Sequence, residues 1–216
     1  MRRVLVLALL ALALPMAAWA DNIVATNQFG TVAITGMAGT GGLGTLGVST
    51  ITSKGSQLTQ WNGTTGSLGS VGFATGALTS GSISGGGMFA GGGAFNITGV
   101  GQWASLLTGG KCGKGCSLFA GSFTGPISWT LLSSNGQESS FALSGTISGM
   151  LYNGRDATGT TTQYINIFST GQLNQGIGHV NMGRGNLSTP EPGTLGLLGT
   201  GLVSLAGMFR RKLMRA

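Results

Sequence analysis

The chain has 216 residues, of which 43 are glycine and only 7% are charged, and its net charge is +7. Six of the eleven basic residues lie at the two ends of the chain: Arg2, Arg3, Arg210, Arg211, Lys212 and Arg215. Between positions 21 and 189, five basic and three acidic residues leave a charge of +2. No basic stripe interleaved with aromatic residues is present there, which argues against a nucleic-acid-binding protein.

The first twenty residues have the three parts of a secretory signal peptide. Two arginines precede an apolar run, Val4–Leu14, and Pro15 follows it. The sequence Ala18-Trp19-Ala20 is a small-x-small cleavage site. We therefore expect residues 1–20 to be a helical signal peptide, delivered by the Sec export machinery and removed by signal peptidase between Ala20 and Asp21.

Residues 21–187 have the pattern of a β-rich exported domain. Apolar and β-branched residues recur in short, mostly alternating bursts, which is typical of half-buried strands. One short helical turn is predicted around Gln102–Leu107, because glycine interrupts every longer window. The predicted strand segments are Thr31–Thr35, Leu46–Thr52, Leu58–Trp61, Leu118–Phe123, Ile127–Leu132, Ser139–Ile147, Ile147–Tyr152, Thr160–Phe168 and Ile177–Met182.

Three Asn-Gly pairs predict chain reversals between these strands. They begin at Asn62, Asn135 and Asn153. The second pair predicts a hairpin with a type I′ turn between Ile127–Leu132 and Ser139–Ile147.

Residues 63–99 are rich in glycine, and four apolar residues recur among the glycines. We expect Ile83, Phe89, Phe95 and Ile97 to enter a core, with the glycines at bulges or close strand crossings. The alternative is a flexible linker that divides the domain.

Taken together, these features predict one all-β domain, an antiparallel, jelly-roll-like β-sandwich with Gly-rich loops. The alternative is a β-solenoid, because Ser80–Gly85 and Ser144–Gly149 are similar.

Two cysteines, Cys112 and Cys116, flank a short Gly-Lys-Gly segment. The oxidising exported compartment favours a local disulfide between them. Free thiols remain an alternative, as does a redox or metal role, although no further metal ligands lie nearby in the sequence.

Candidates for catalysis are few. His179 is the only histidine, and Glu138 and Asp156 are the interior carboxylates. Neither a nucleophile elbow nor a metal or phosphate-binding motif is present. We therefore expect a non-enzymatic protein without cofactor or metal, with a polysaccharide hydrolase as the alternative.

Tryptophan and tyrosine are the candidate binding residues, since each offers a flat apolar face with a polar tip. The candidates for contact with carbohydrate are Trp61, Trp103 and Trp129, and the alternative is that most of these rings lie in the core of a small β-domain.

The C-terminal segment, residues 188–216, has three parts. Pro190-Glu191-Pro192 keeps the backbone extended. Residues 194–209 carry no charge and, at about 1.5 Å per residue, span roughly 24 Å as a helix, close to the ~30 Å hydrocarbon core. The basic residues of 210–216 follow, where they would stop transfer on the cytoplasmic side: Arg210, Arg211, Lys212 and Arg215.

This segment, from about Ser188 to Ala216, resembles the PEP-CTERM sorting signal of Gram-negative bacteria. The resemblance implies export, a transient transmembrane helix at 194–209 in the inner membrane, and cleavage near Pro190-Glu191-Pro192 by an exosortase. It also implies a place at the cell surface or in the extracellular matrix, associated with exopolysaccharide and biofilm. A self-associating structural matrix protein is a further alternative.

Overall fold

The computed structural model describes residues 22–35, 46–111, 115–168 and 176–189. Asn22–Ser188 form one compact unit. The predicted signal peptide and the predicted membrane helix at 194–209 lie outside the described residues. Within the described ranges, no helix has the length and apolar character needed to cross a membrane.

The described part of the unit contains eleven strands and one short helix. Their bounds are β1 Asn22–Thr35, β2 Thr50–Trp61, β3 Thr64–Ala74, β4 Leu78–Ser82, β5 Gly86–Phe89, β6 Gly92–Gly99, α1 Gly101–Leu107, β7 Ser117–Phe123, β8 Ile127–Ser134, β9 Glu138–Leu151, β10 Asp156–Phe168 and β11 Gly176–Ser188.

The strands form a single sheet in the order β10-β11-β1-β2-β3-β6-β7-β9-β8-β5-β4. Strand β9 also pairs with β10, in an unbroken register from Met150 opposite Asp156 to Glu138 opposite Phe168. This additional pairing closes eight strands into a ring, and β8, β5 and β4 extend the sheet from β9. Strand β9 therefore belongs both to the ring and to the extension. Its first half pairs with β8, and its second half pairs with β7.

The prediction of an all-β, antiparallel domain is confirmed. The two facing sheets of a jelly-roll-like sandwich are not confirmed, because the strands belong to one sheet. Every pairing is antiparallel, whereas the coils of a β-solenoid pair in parallel, so the structure gives that alternative no support.

The core is one cluster of mainly aromatic and branched aliphatic side chains, contributed by strands of the ring and by β4, β5 and β8. Trp129 stacks on Phe141 with ring centroids 4.3 Å apart, and its indole N–H donates to the carbonyl of Ile83 at 2.9 Å. The predicted core residues of the glycine-rich segment are buried: Ile83, Phe89, Phe95 and Ile97 are each no more than 2% exposed. That segment is therefore ordered and forms part of the sheet, and is not a linker.

The predicted reversals are present, and one differs in detail. Asn62 and Gly63 both have positive φ, 45° and 85°, as a type I′ turn between β2 and β3 requires. The β8–β9 hairpin is confirmed, but its type I′ turn is wrong, because Gly136 but not Asn135 has positive φ. The Asn135 side chain instead accepts hydrogen bonds from the backbone N–H groups of Gln137 and Glu138, at 3.0 and 2.7 Å.

Some of the many glycines allow adjacent strands to approach closely. Gly121 on β7 lies opposite Gly149 on β9. A Cβ added to Gly149 would collide with the Ala120 carbonyl oxygen and with the Cα of Gly121. A Cβ at Gly72 on β3 would meet the carbonyl oxygen of Ser53 at an ordinary 3.5 Å. Close strand packing thus requires glycine at some positions and not at others.

We expect Gly149→Ala to lower the free energy of unfolding by about 1–3 kcal/mol, because the methyl group must displace backbone. Urea denaturation measures this change. Gly72→Ala is the matched control and should leave stability unchanged or slightly raised, since alanine restricts the unfolded chain. Equal effects of the two substitutions would contradict this account of the β7–β9 approach.

Candidate binding groove

The outer face of strands β10, β11, β1 and β2 is polar. Because side chains alternate along a strand, the residues that oppose the core point outward. Arg184 on β11 lies in register with Thr162 of β10 on one side and with Thr26 of β1 on the other. Thr26 in turn lies opposite Gln60 of β2. A row of polar side chains therefore crosses four neighbouring strands.

A groove of about 720 Å³ lies along this row. The described residues of its lining offer hydroxyl, amide, phenol and guanidinium groups and include no carboxylate. The lining residues are Val24, Thr26, Gln60, Asn62, Gly63, Thr160, Thr162, Tyr164, Gly183, Arg184 and Asn186. The groove can therefore both donate hydrogen bonds to a ligand and accept them from it, since Thr, Asn and Gln side chains do both.

Polar side chains on the inner face of the same four strands form a buried network. The Asn27 amide N–H₂ donates to Ser56 Oγ at 2.8 Å and to Gln163 Oε1 at 2.9 Å. The Gln163 amide donates to Thr161 Oγ1 at 2.9 Å, and Thr161 donates to the Arg184 carbonyl at 3.2 Å. The network therefore ends on the backbone that carries the groove's only charged side chain.

Gly183 connects the network to the groove. It is buried, it lines the groove, and a Cβ there would collide with the side-chain oxygens of Gln163 and Asn27. Because buried polar groups are costly without partners, the amides fix how these strands sit against one another.

The predicted carbohydrate-contact tryptophans do not form this groove. Trp61 and Trp129 are only 2% and 1% exposed, so neither presents a ring face to solvent. Trp103 lies on α1 and packs, partly buried, against the core. The prediction for Trp61 and Trp129 is therefore wrong, because their large apolar rings fill the core, and Trp103 has a similar packing role.

The interior carboxylates lie at opposite ends of the β9–β10 hairpin. Glu138 is opposite Phe168, and Asp156 is opposite Met150. Glu138 and Met150 are twelve positions apart on β9, which corresponds to roughly 40 Å along the strand. Hence these two groups do not form an acid–base pair within one chain.

The structure describes only some residues of the other predicted sites. The backbone of His179 pairs with Thr31 and Asn166. Cys116 is disulfide-bonded, whereas Cys112, the other cysteine of the chain, lies outside the described residues. Among the described residues, no three His, Cys, Asp or Glu lie together as a metal site.

The groove itself was not identified in the sequence. Its clearest local signal is the alternation of Thr160, Thr162 and Tyr164 in a strand that was predicted. The partners on β1, β2 and β11 are distant in the sequence, and only the pairing register brings them together.

The predicted processing residues lie outside the described residues. They are Ala18, Ala20 and Asp21 of the signal cleavage site, Pro190, Glu191 and Pro192 of the sorting motif, and Arg210, Arg211, Lys212 and Arg215 of the basic end.

Comparison with known protein families identifies the C-terminal segment. The family model of the PEP-CTERM protein-sorting motif matches residues 188–212, which confirms the suspected sorting signal. No curated protein and no solved structure gives a significant match. The motif implies an exported protein whose membrane-anchored precursor is processed by an exosortase.

We expect Asn27→Ala to lower the free energy of unfolding by about 1–3 kcal/mol, because Gln163 and Ser56 lose a shared buried partner. Asn96→Ala, at an exposed position on β6, is the control and should change stability by less than about 0.5 kcal/mol. Thermal unfolding of both variants measures the difference. A stable Asn27→Ala protein would mean that the amide network does not hold the strands beneath the groove.

Proposed function

We propose that this chain, which carries a PEP-CTERM sorting motif, is a non-enzymatic protein of the cell surface or extracellular matrix that binds exopolysaccharide through the outer groove. The observation that carries the proposal is the groove lining, in which the residues that the structure describes combine hydroxyl and amide groups with Tyr164.

The chemistry of the groove suits a sugar chain. Each sugar hydroxyl donates and accepts a hydrogen bond, and the amides of Gln60, Asn62 and Asn186 can do both. The Tyr164 side chain is 39% exposed and offers an apolar ring against which a pyranose can pack. An open groove across four strands admits a polymer without needing its end.

The proposed route has two processing steps. The Sec machinery exports the chain of a Gram-negative bacterium, and signal peptidase releases residue 21 as the new N-terminus. The apolar segment 194–209 then holds the precursor in the inner membrane until exosortase cleaves near Pro190-Glu191-Pro192. The domain of residues 21–187 reaches the surface and contributes to the biofilm matrix.

Self-association is a second candidate function, favoured by one observation. Leu131, Ser133 and Ser134 of β8 pair with β9, with a bulge at Leu132. No described strand pairs with residues 132–134 on their other side. Leu131 and Leu132 in this stretch are 36% and 53% exposed. An uncharged strand edge of this kind favours pairing with a second copy. By contrast, no observation favours a polysaccharide hydrolase, because its predicted carboxylates, Glu138 and Asp156, lie at opposite ends of a hairpin.

Glycan binding is tested by affinity electrophoresis of the protein through gels that contain the producing cell's purified exopolysaccharide. We expect the double variant Gln60→Ala/Asn186→Ala to bind more weakly by about 1–3 kcal/mol, since at least two hydrogen bonds are lost. If the double variant were retarded as strongly as the unaltered protein, the groove would not be the glycan-binding site.

The matched control carries Asn96→Ala and Gln102→Ala, which alter two exposed amides on β6 and α1. Its mobility should equal that of the unaltered protein in every gel. Loss of retardation in the control as well would point to a general loss of structure, which the thermal unfolding of both variants would reveal.

A further inference from the structure

We infer that the groove selects an acidic polysaccharide, with Arg184 binding the carboxylate of a sugar acid and Tyr164 packing against its ring. This inference rests on the proposed function, because it names the class of glycan that the same groove binds. It makes the groove a charge-selective site and not a general sugar surface.

Among the described residues that line the groove, Arg184 is the only charged one. The carboxylates of the described residues lie far from it in both strand directions. Thr162, the β10 partner of Arg184, is six residues from Asp156 and six from Phe168, the residue opposite Glu138. Each interval corresponds to roughly 20 Å, so neither carboxylate of the described part of the chain lies near the groove's cation.

One neighbour of Arg184 adds a hydroxyl donor to this anion-binding site. Thr26 and Thr162 lie directly opposite Arg184 on the two flanking strands, with Cβ atoms about 4.5–5.5 Å away. Thr59 donates its hydroxyl proton to the Thr26 carbonyl at 3.2 Å, so the Thr26 hydroxyl donates to Thr59 at 3.1 Å and its proton is already used. Thr162 shares a hydrogen bond with Ser144 at 3.0 Å, and with Ser144 as the donor the Thr162 hydroxyl can donate to an anion. The fork of the guanidinium favours a planar carboxylate, which can accept two parallel hydrogen bonds.

Beneath this site the backbone is held in place. The Arg184 carbonyl accepts the hydrogen bond from buried Thr161, and that hydroxyl also accepts one from Gln163. A site whose backbone is fixed before the ligand arrives loses less conformational freedom on binding.

Tyr164 supplies the contact that a simple anion would not need. It lies opposite Met182, two residues from Arg184 on β11, and is therefore a diagonal neighbour at about 7–8 Å, within reach of long side chains. In a uronic acid the carboxylate is attached directly to the pyranose ring. One sugar unit can therefore contact Arg184 through its carboxylate and Tyr164 through its ring, which a free phosphate or sulfate cannot do.

The test uses the processed protein recovered from cells and two forms of one polymer, polygalacturonate and its fully methyl-esterified derivative. These polymers share the sugar ring and differ in the charge of the carboxyl group. Affinity electrophoresis at low and high salt gives the dissociation constant for each. We expect the protein to bind polygalacturonate at least tenfold more tightly than the ester.

Two variants locate the interaction. Arg184→Gln should weaken binding to polygalacturonate by roughly tenfold or more, since a charge-assisted hydrogen-bonded pair is lost, and should leave binding to the ester unchanged. Tyr164→Ala should weaken binding to both polymers. Arg155→Gln, an exposed arginine in the β9–β10 turn, is the matched control that removes the same charge away from the groove and should change neither constant.

The outcomes separate the two proposals. Equal affinity for both polymers would overturn the acidic ligand and leave glycan binding in place, whereas no affinity for either polymer or for the native exopolysaccharide would overturn both. Equal losses in Arg184→Gln and Arg155→Gln would mean that net charge alone attracts the polymer, which contradicts the site. If inorganic phosphate displaced bound polygalacturonate as effectively as galacturonate does, the groove would be an anion site that does not recognise the sugar ring, which contradicts the inference.

Discussion

The pairing of β9 with β10 is the constraint on which the rest of the structure depends. Without it, the eight strands from β10 to β9 would be an open sheet with two long edges. With it, the sheet closes and encloses the core, while the outer face of β10, β11, β1 and β2 carries the groove. The groove lies next to this closure, since β10 contributes Thr160, Thr162 and Tyr164 to its lining.

The unusual composition follows from this architecture. Closely approaching strands require glycine at pairs such as Gly121 and Gly149. Hydroxyl and amide side chains can satisfy one another on both faces of the sheet, as the network around Asn27 and Gln163 shows on the inside. The domain therefore needs few charged residues, and the single guanidinium in the groove stands out as a chemical feature.

Local features of the fold could be predicted from the sequence. Alternation located most strands, the pair Asn62-Gly63 gave the correct turn, and the aromatic spacing identified Phe89 and Phe95 as core residues. Closure could not be predicted, because it depends on pairing between distant segments that have no distinct local pattern. The turn at Asn135 differed because its side chain caps the backbone of the following residues.

The site was less accessible to prediction than the fold. Aromatic type left the tryptophans either as sugar contacts or as core residues, and burial places Trp61 and Trp129 in the core. Gln60 and Thr162 lie on one row across the groove only because three strand pairings, β2–β1, β1–β11 and β11–β10, bring them into line. The sorting signal was predictable because its parts are contiguous, so its order and spacing can be read without knowledge of the fold.

The central claim is that processing releases the β domain, with its groove, as the working unit at the cell surface. The most direct test is the intact mass of the protein recovered separately from the membrane, the cell surface and the medium. We predict that the surface and medium species begins at Asp21 and ends near Pro190. A species that begins at Asp21 but retains every residue to Ala216 in all fractions would contradict the account.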